Sequence, residues 1–156
     1  MLRNDYEGQL CSIARTLELI GERWSLLVIR EVFSGRRRFS EMQRTLGVAR
    51  NVLANRLERL VDAGVLERRP YSEHPRRDEY FLTEAGLDLW PTLISLMHWG
   101  DKHLPLPDGP PVVVVHKDCG GEIDDRRICT RCGKALAVRE TRAERRVPVT
   151  AEPVPA

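Results

Sequence analysis

Four side chains near the C-terminus have the types and spacing of a metal site. His116 and Cys119 form H-x2-C, Cys129 and Cys132 form C-x2-C, and nine residues separate the two pairs. Each pair has the spacing of a metal knuckle, and Gly120, Gly121 and Gly133 permit the tight turns a ligand loop needs. Three soft thiolates and one imidazole suit tetrahedral Zn2+ and leave no open position for a substrate. Asp118 lies beside His116, which makes His116 the least fixed of the four ligands. Two other readings stay open, a remnant that has lost its metal and a Cys129/Cys132 redox pair.

A second kind of chemistry, hydrogen bonding to base edges, fits the segment from Arg50 to Ala63. Leu53, Leu57, Leu60 and Val61 fall at the spacing of a buried helical face. Arg50, Asn51, Asn55 and Glu58 fall on the other side, with Arg56 and Arg59 at its flanks. Arg can pair with guanine O6/N7 and Asn with adenine N6/N7 in a major groove. A solvated polar face would look the same on its own. The neighbouring elements decide between the two.

Those neighbours form a recognisable order. Arg36 to Phe39 is a candidate short strand, Ser40 a candidate helix cap, and Glu41 a first-turn acid. Gly47 breaks that helix and Gly64 ends the next one. Val65 to Tyr71 and Glu79 to Thr83 contain strand-type residues around a polar loop, Ser72 to Arg77. Arg76 and Arg77 would sit near its tip, within reach of phosphates or a minor groove. Helix, turn, helix and basic hairpin over Phe39 to Thr83 are the signature of a winged helix-turn-helix that binds double-stranded DNA.

Charge concentrates on the same segment. Arg36 to Arg77 holds 11 Arg against 5 acids, whereas the whole chain is only +2. Residues 1–35 and 78–104 are both net acidic. All 11 are Arg, which favours planar, bidentate contacts over diffuse charge.

The flanks supply packing. Cys11 to Gly21 is expected to be helical, with Ile13, Leu17 and Ile20 on one face, and Trp24 to Phe33 forms a strongly apolar helix. After the wing, Thr83 and Glu84 begin a helix carrying Leu87, Leu89, Trp90, Leu93, Ile94, Leu96, Met97 and Trp99, with Pro91 marking a kink or restart. So apolar a helix either packs on the winged-helix core or builds a homodimer interface with an N-terminal helix. A dimer would set two reading helices about 34 Å apart, over a palindrome.

The expected fold class is therefore mainly α (α+β). A winged helix-turn-helix with a dimerisation helix occupies residues 1–104, and 105–111 form a linker. A small β zinc-ribbon-like module follows over 112–140, with Val112 to Val115 and Ala135 to Val138 as its strands. Residues 141–156 form a charged, proline-rich tail expected to be disordered. In so small a module, metal would supply much of the folding energy. A chain of 156 residues accommodates this plan. The apolar run Leu26 to Ile29 is far too short to span a membrane, and the first ten residues lack a signal-peptide core. A cytoplasmic location is expected, where four cysteines do not imply a disulfide framework.

Several of these motifs together resemble one family. Cys11-Ser12-Ile13-Ala14-Arg15-Thr16-Leu17-Glu18-Leu19-Ile20-Gly21 and Arg23-Trp24-Ser25-Leu26-Leu27 are similar to the N-terminal motif of HxlR-type regulators. The likeness continues through Arg38-Phe39-Ser40-Glu41-Met42, Leu53-Ala54-Asn55-Arg56-Leu57, Gly64-Val65-Leu66-Glu67-Arg68, Glu79-Tyr80 and Leu82-Thr83-Glu84-Ala85-Gly86. The resemblance implies a dimeric winged-helix transcription factor of MarR-like shape, a repressor or activator. It implies that Arg50, Asn51, Asn55 and Arg56 face DNA, with Arg76 and Arg77 in the wing. Arg38 and Ser40, at the start of the motif's first helix, complete the expected DNA-facing set. It also sets Cys11 where some members carry a cysteine that senses disulfide, quinone or aldehyde stress, and a helix N-terminus can lower a thiol pKa. A small hydrophobe packing the dimer interface is the plainer alternative for Cys11.

The expectation is a homodimeric, sequence-specific regulator that is not an enzyme, with its effector unspecified. Its rivals are a protein-interaction module and a zinc- or thiol-dependent enzyme built on Cys119, Cys129 and Cys132.

Overall fold

Leu53, Leu57 and Leu60 are almost wholly buried on one side of a single helix, and the N-terminal part of the chain is organised around that side. The computed structural model describes residues 10–146. The chain divides into two compact units, residues 1–88 and 89–156.

In the first unit, α1 (Ser12–Ile20) and α2 (Ser25–Phe33) precede α3 (Phe39–Leu46) and α4 (Arg50–Asp62). The antiparallel hairpin β1 (Leu66–Glu73) and β2 (Arg76–Leu82) follows, and the short α5 (Glu84–Leu87) closes the unit. Val28, Ile29 and Val32 from α2, Met42 from α3, the three leucines of α4, and Val65 and Leu66 form the core, with Ala14 and Ile20 contributed by α1. Between α3 and α4, Gly47 takes a left-handed backbone (φ 63°) that lets the chain reverse within three residues. Hairpin pairing runs from Leu66 opposite Leu82 to Glu73 opposite Arg76, and shifts register between Pro70 and Ser72. That irregularity falls beside a proline, which lacks the N–H a regular ladder requires.

Two details of the lead-in to α3 differ from expectation. The strand anticipated over Arg36 to Phe39 is reduced to one bridge, Arg38 opposite Glu79, supported by the Tyr80 N–H donating to the Arg37 carbonyl at 2.9 Å. Ser40 is not the cap of α3. The helix starts at Phe39, with Arg38 in an extended cap conformation whose N–H donates to the Glu41 carboxylate at 3.2 Å. Ser40 is thus the second residue of the helix, inside its first turn, and the Glu41 carboxylate satisfies the cap amide of Arg38.

The second unit opens with α6 (Trp90–His103), and Pro91 lies in its first turn, where a missing N–H costs nothing. The apolar stretch after the wing is thus two helices, α5 and α6. The division falls at Asp88/Leu89, earlier than the 105–111 linker expected from composition. β3 (Val112–His116) pairs antiparallel with β4 (Thr141–Arg145), from Val112 opposite Arg145 to His116 opposite Thr141. Thr141 to Arg145 are therefore a strand and not the start of a disordered tail. The amides of buried β3 need a partner, and the charged residues of β4 suit an exposed edge strand. Ala135 to Val138 do not form the expected strand; Ala135 makes one bridge to Ile128, and Val138–Glu140 is a 3-10 turn leading into β4. Val113, Val114, Val115, Ile123, Cys129 and Leu136 form a small buried centre. The tail expected beyond Arg146 lies outside the described residues. No helix among those described is long and apolar enough to cross a membrane.

Leu57 has 1% exposure at the middle of α4. Leu57→Ala should lower unfolding stability by about 3 kcal/mol in urea denaturation, since the cavity collapses only in part.

Candidate nucleic-acid interface and metal centre

Burying Leu53, Leu57 and Leu60 forces the opposite side of α4 outward, because residues three or four apart share a helical face. Arg50, Asn51 and Asn55 are all exposed there. The Arg50 guanidinium lies 5.0 Å from the centre of the Phe39 ring, so the start of α3 supports it. Ser40 is exposed nearby, in the first turn of α3.

The wing carries further arginines. Arg38 donates from Nε to Glu79 at 2.9 Å and stacks over the Tyr71 ring at 4.6 Å. Arg77 is exposed on β2. Arg76 opens β2, while its side chain lies outside the described part of the structure. Arg37 and Arg69, not singled out from sequence, place their guanidinium groups over Phe81 at 4.5 and 4.4 Å. Phe81 in the strand pattern was the available signal; it is a flat apolar surface on which long cations rest.

Arg56 departs from the expected DNA-facing set. Its side chain is only 18% exposed and is ion-paired with Glu22, and its Nε donates to the Arg23 carbonyl at 3.3 Å. It is turned toward the junction of α1 and α2.

In the second unit the four expected ligands converge. One donor atom each from His116, Cys119, Cys129 and Cys132 lies within 4.8 Å of the others. His116 Nδ1 is 3.2 Å from Cys119 Sγ and 3.4 Å from Cys132 Sγ, and the Cys119 and Cys129 sulfurs are 3.4 Å apart. Zinc–sulfur bonds of about 2.3 Å in a tetrahedron imply edges of about 3.8 Å, so small adjustments would admit the ion. The two knuckles share one hydrogen-bond pattern. The Gly120 N–H donates to the His116 carbonyl and the Gly133 N–H to the Cys129 carbonyl, both at 2.8 Å. The His116 N–H donates to the Gly121 carbonyl and the Cys129 N–H to the Lys134 carbonyl, at 2.8 and 2.9 Å. Gly120 and Gly133 both have positive φ, 70° and 74°. Asp118 does not compete for the cluster: its carboxylate lies 3.4 Å from His116 Nε2, the ring atom opposite Nδ1.

Electrostatics separate the thiols. Burial opposes ionisation of Cys129, but the backbone N–H groups of Cys132 and Arg131 and the adjacent thiols outweigh it and lower its pKa to about 6. At Cys119 the Gly121 amide favours the thiolate, yet burial and the neighbouring thiols push its pKa up. Cys11 stands apart, exposed at the N-cap of α1. The amides of Ala14 and then Ile13 lower its pKa.

A polar helix face thrust outward by its buried leucines, next to a wing bearing stacked arginines, defines a winged helix-turn-helix transcriptional regulator that binds DNA. The family model described as HxlR-like helix-turn-helix matches residues 19–107, and the chain belongs to that family. It is 48% identical over 143 residues to the HTH-type transcriptional regulator Rv3095 of Mycobacterium tuberculosis, covering 92% of this chain and 89% of that protein. The crystal structure of PA1607, described as a candidate transcription factor, superposes with a TM-score of 0.70 at 37% identity, covering 89% of this chain and 97% of the other. The redox regulator HypR in its oxidised form superposes with a TM-score of 0.54 at 30% identity, covering 59% of this chain and 96% of its own. Matches as long as the first two must take in part of the second unit as well as the reading head.

The pKa values of Cys11 and Cys129 are both lowered, so exposure decides their order of reactivity. Brief iodoacetamide treatment at neutral pH should label Cys11 well ahead of buried Cys129, as read by peptide mass mapping.

Proposed function

We propose that this protein is a homodimer that occupies a palindromic operator, each protomer laying α4 in a major groove and its wing along the adjacent backbone. The observation that carries this reading is the exposed Arg50, Asn51 and Asn55 face of α4, fixed by the buried leucines behind it. Arg38, Arg37, Arg69 and Arg77 then serve as phosphate contacts, which give affinity and register without sequence information. Ile13 and Leu17 of α1, and Leu96 and Trp99 of α6, are exposed apolar side chains that a second copy would cover. Cys11, at the N-terminus of α1, is the candidate entry point for a thiol-directed signal.

The ligand cluster of the second unit is read as a structural Zn2+ site held by His116, Cys119, Cys129 and Cys132. The donor set is soft, the knuckles are matched, and four protein ligands leave no position open for catalysis. The ion would tie the two knuckles together. Asp118 would orient the His116 ring from its far side, a common arrangement behind metal-bound imidazoles.

Selection of bound sequences from a random duplex pool should return a palindrome; a featureless pool would contradict the reading. On the selected duplex, Arg50→Ala should cost about 1–3 kcal/mol and relax specificity at one position. Arg77→Ala should weaken all sequences alike and reduce the salt dependence by about one counterion. Filter binding over a salt series separates the two effects.

Protein purified without chelator should carry one zinc per chain by elemental analysis, and chelation should lower the melting temperature. At Gly121 an added Cβ would lie 2.6 Å from Cys129 Sγ and 2.5 Å from the Arg131 Cβ. Gly121→Ala should therefore reduce the zinc retained through dialysis, with little change in far-UV helix content.

A further inference from the structure

Glu22 follows the C-cap of α1 and stands at the corner where α1 turns into α2. Its two carboxylate oxygens are divided between two arginines of α4: Oε2 pairs with Arg56 and Oε1 with Arg59. Each arginine also holds the backbone of the same corner. Arg56 Nε donates to the Arg23 carbonyl at 3.3 Å, and Arg59 Nη2 donates to the Glu18 carbonyl at 3.2 Å. Arg56 Nη1 donates to the Asn55 Oδ1 at 2.9 Å, which connects this network to a side chain of the DNA-facing surface. Two residues on, Trp24 has a left-handed backbone (φ 83°), a costly conformation for a bulky residue that persists only where its surroundings hold it. The Arg23 guanidinium packs over the Trp24 ring at 5.5 Å.

A single exposed ion pair would count for little. Here one carboxylate joins two cations, and both cations are anchored again by backbone carbonyls, so the corner and the helix are linked at four points. Arg56 and Arg59 are one turn apart on α4, close to Asn55. A shift of α1 would change the roll of α4 and the aim of Asn55.

We propose that Glu22 is a positioning residue for base reading: through Arg56 and Arg59 it fixes the orientation of α4 against α1. The proposal rests on α4 being the reading helix. Arg56 acts as part of the hinge pin and not as a DNA contact, and movement of α1 reaches the bases through this corner.

The test uses the full-length protein, the duplex selected from the random pool, and a scrambled duplex of equal length. Glu22→Gln should reduce the ratio of the two affinities about tenfold while leaving the scrambled affinity nearly unchanged. Glu22→Asp, which keeps the charge, should retain most of the ratio. If Glu22→Gln binds both duplexes more tightly, Glu22 merely masks two cations and the proposal is overturned. A lower melting temperature with an unchanged ratio overturns it as well, since that is a purely structural role. Should Glu22→Gln fail to fold, Arg56→Gln takes its place, and an unchanged ratio there refutes the idea equally. Failure of the underlying reading looks different: Arg50→Ala would then leave the ratio intact.

Discussion

The burial of one face of α4 is the constraint on which the reading head depends. Leu53, Leu57 and Leu60 are all at or below 1% exposure, and their removal from water is the main gain that seats α4 among α2, α3 and the wing. Helical geometry then leaves no choice about the other face: Arg50, Asn51 and Asn55 must point outward. A face aimed this way is pre-organised. On the proposed reading the helix is already formed when DNA arrives, so binding energy is not spent on forming it. Rings beneath the cations serve the same end, since Phe39, Tyr71 and Phe81 hold Arg50, Arg38, Arg37 and Arg69 in defined places.

The second unit solves a different problem. The buried centre around β3 is three valines with Ile123, Cys129 and Leu136, too little for a stable core at this size. The two knuckles compensate with repeated backbone hydrogen bonds and four convergent donor atoms. A cross-link at that point would tie the end of β3 and the turn after it to the second knuckle, Cys129 and Cys132.

Much of this is legible in the sequence, and the failures have physical causes. The α4 pattern is clear because leucines recurring every three or four residues mark one buried stripe of a helix. The wing is clear because strand-type residues flank a polar tip. The convergence of His116, Cys119, Cys129 and Cys132 is legible because each pair has knuckle spacing. Ser40 has the residue type of a cap, but the helix begins one residue before it, at Phe39. Arg56 has the residue type of a DNA contact; its partner, Glu22, lies 34 positions away, and periodicity carries no information about such a pairing. Strand β4 is hidden because Thr-Arg-Ala-Glu-Arg has the composition of a tail; its conformation is imposed by β3. The family resemblance runs on both sides of Glu22 without giving it a role, and the family model ends at residue 107, before β4.

The central claim is that the outward face of α4 reads base edges. A crystal structure of the protein on its selected duplex tests it most directly. The account predicts α4 in the major groove, with Arg50, Asn51 and Asn55 within hydrogen-bond distance of bases and Arg56 still held by Glu22. A complex in which α4 contacts only phosphates, or faces away from the duplex, would contradict it.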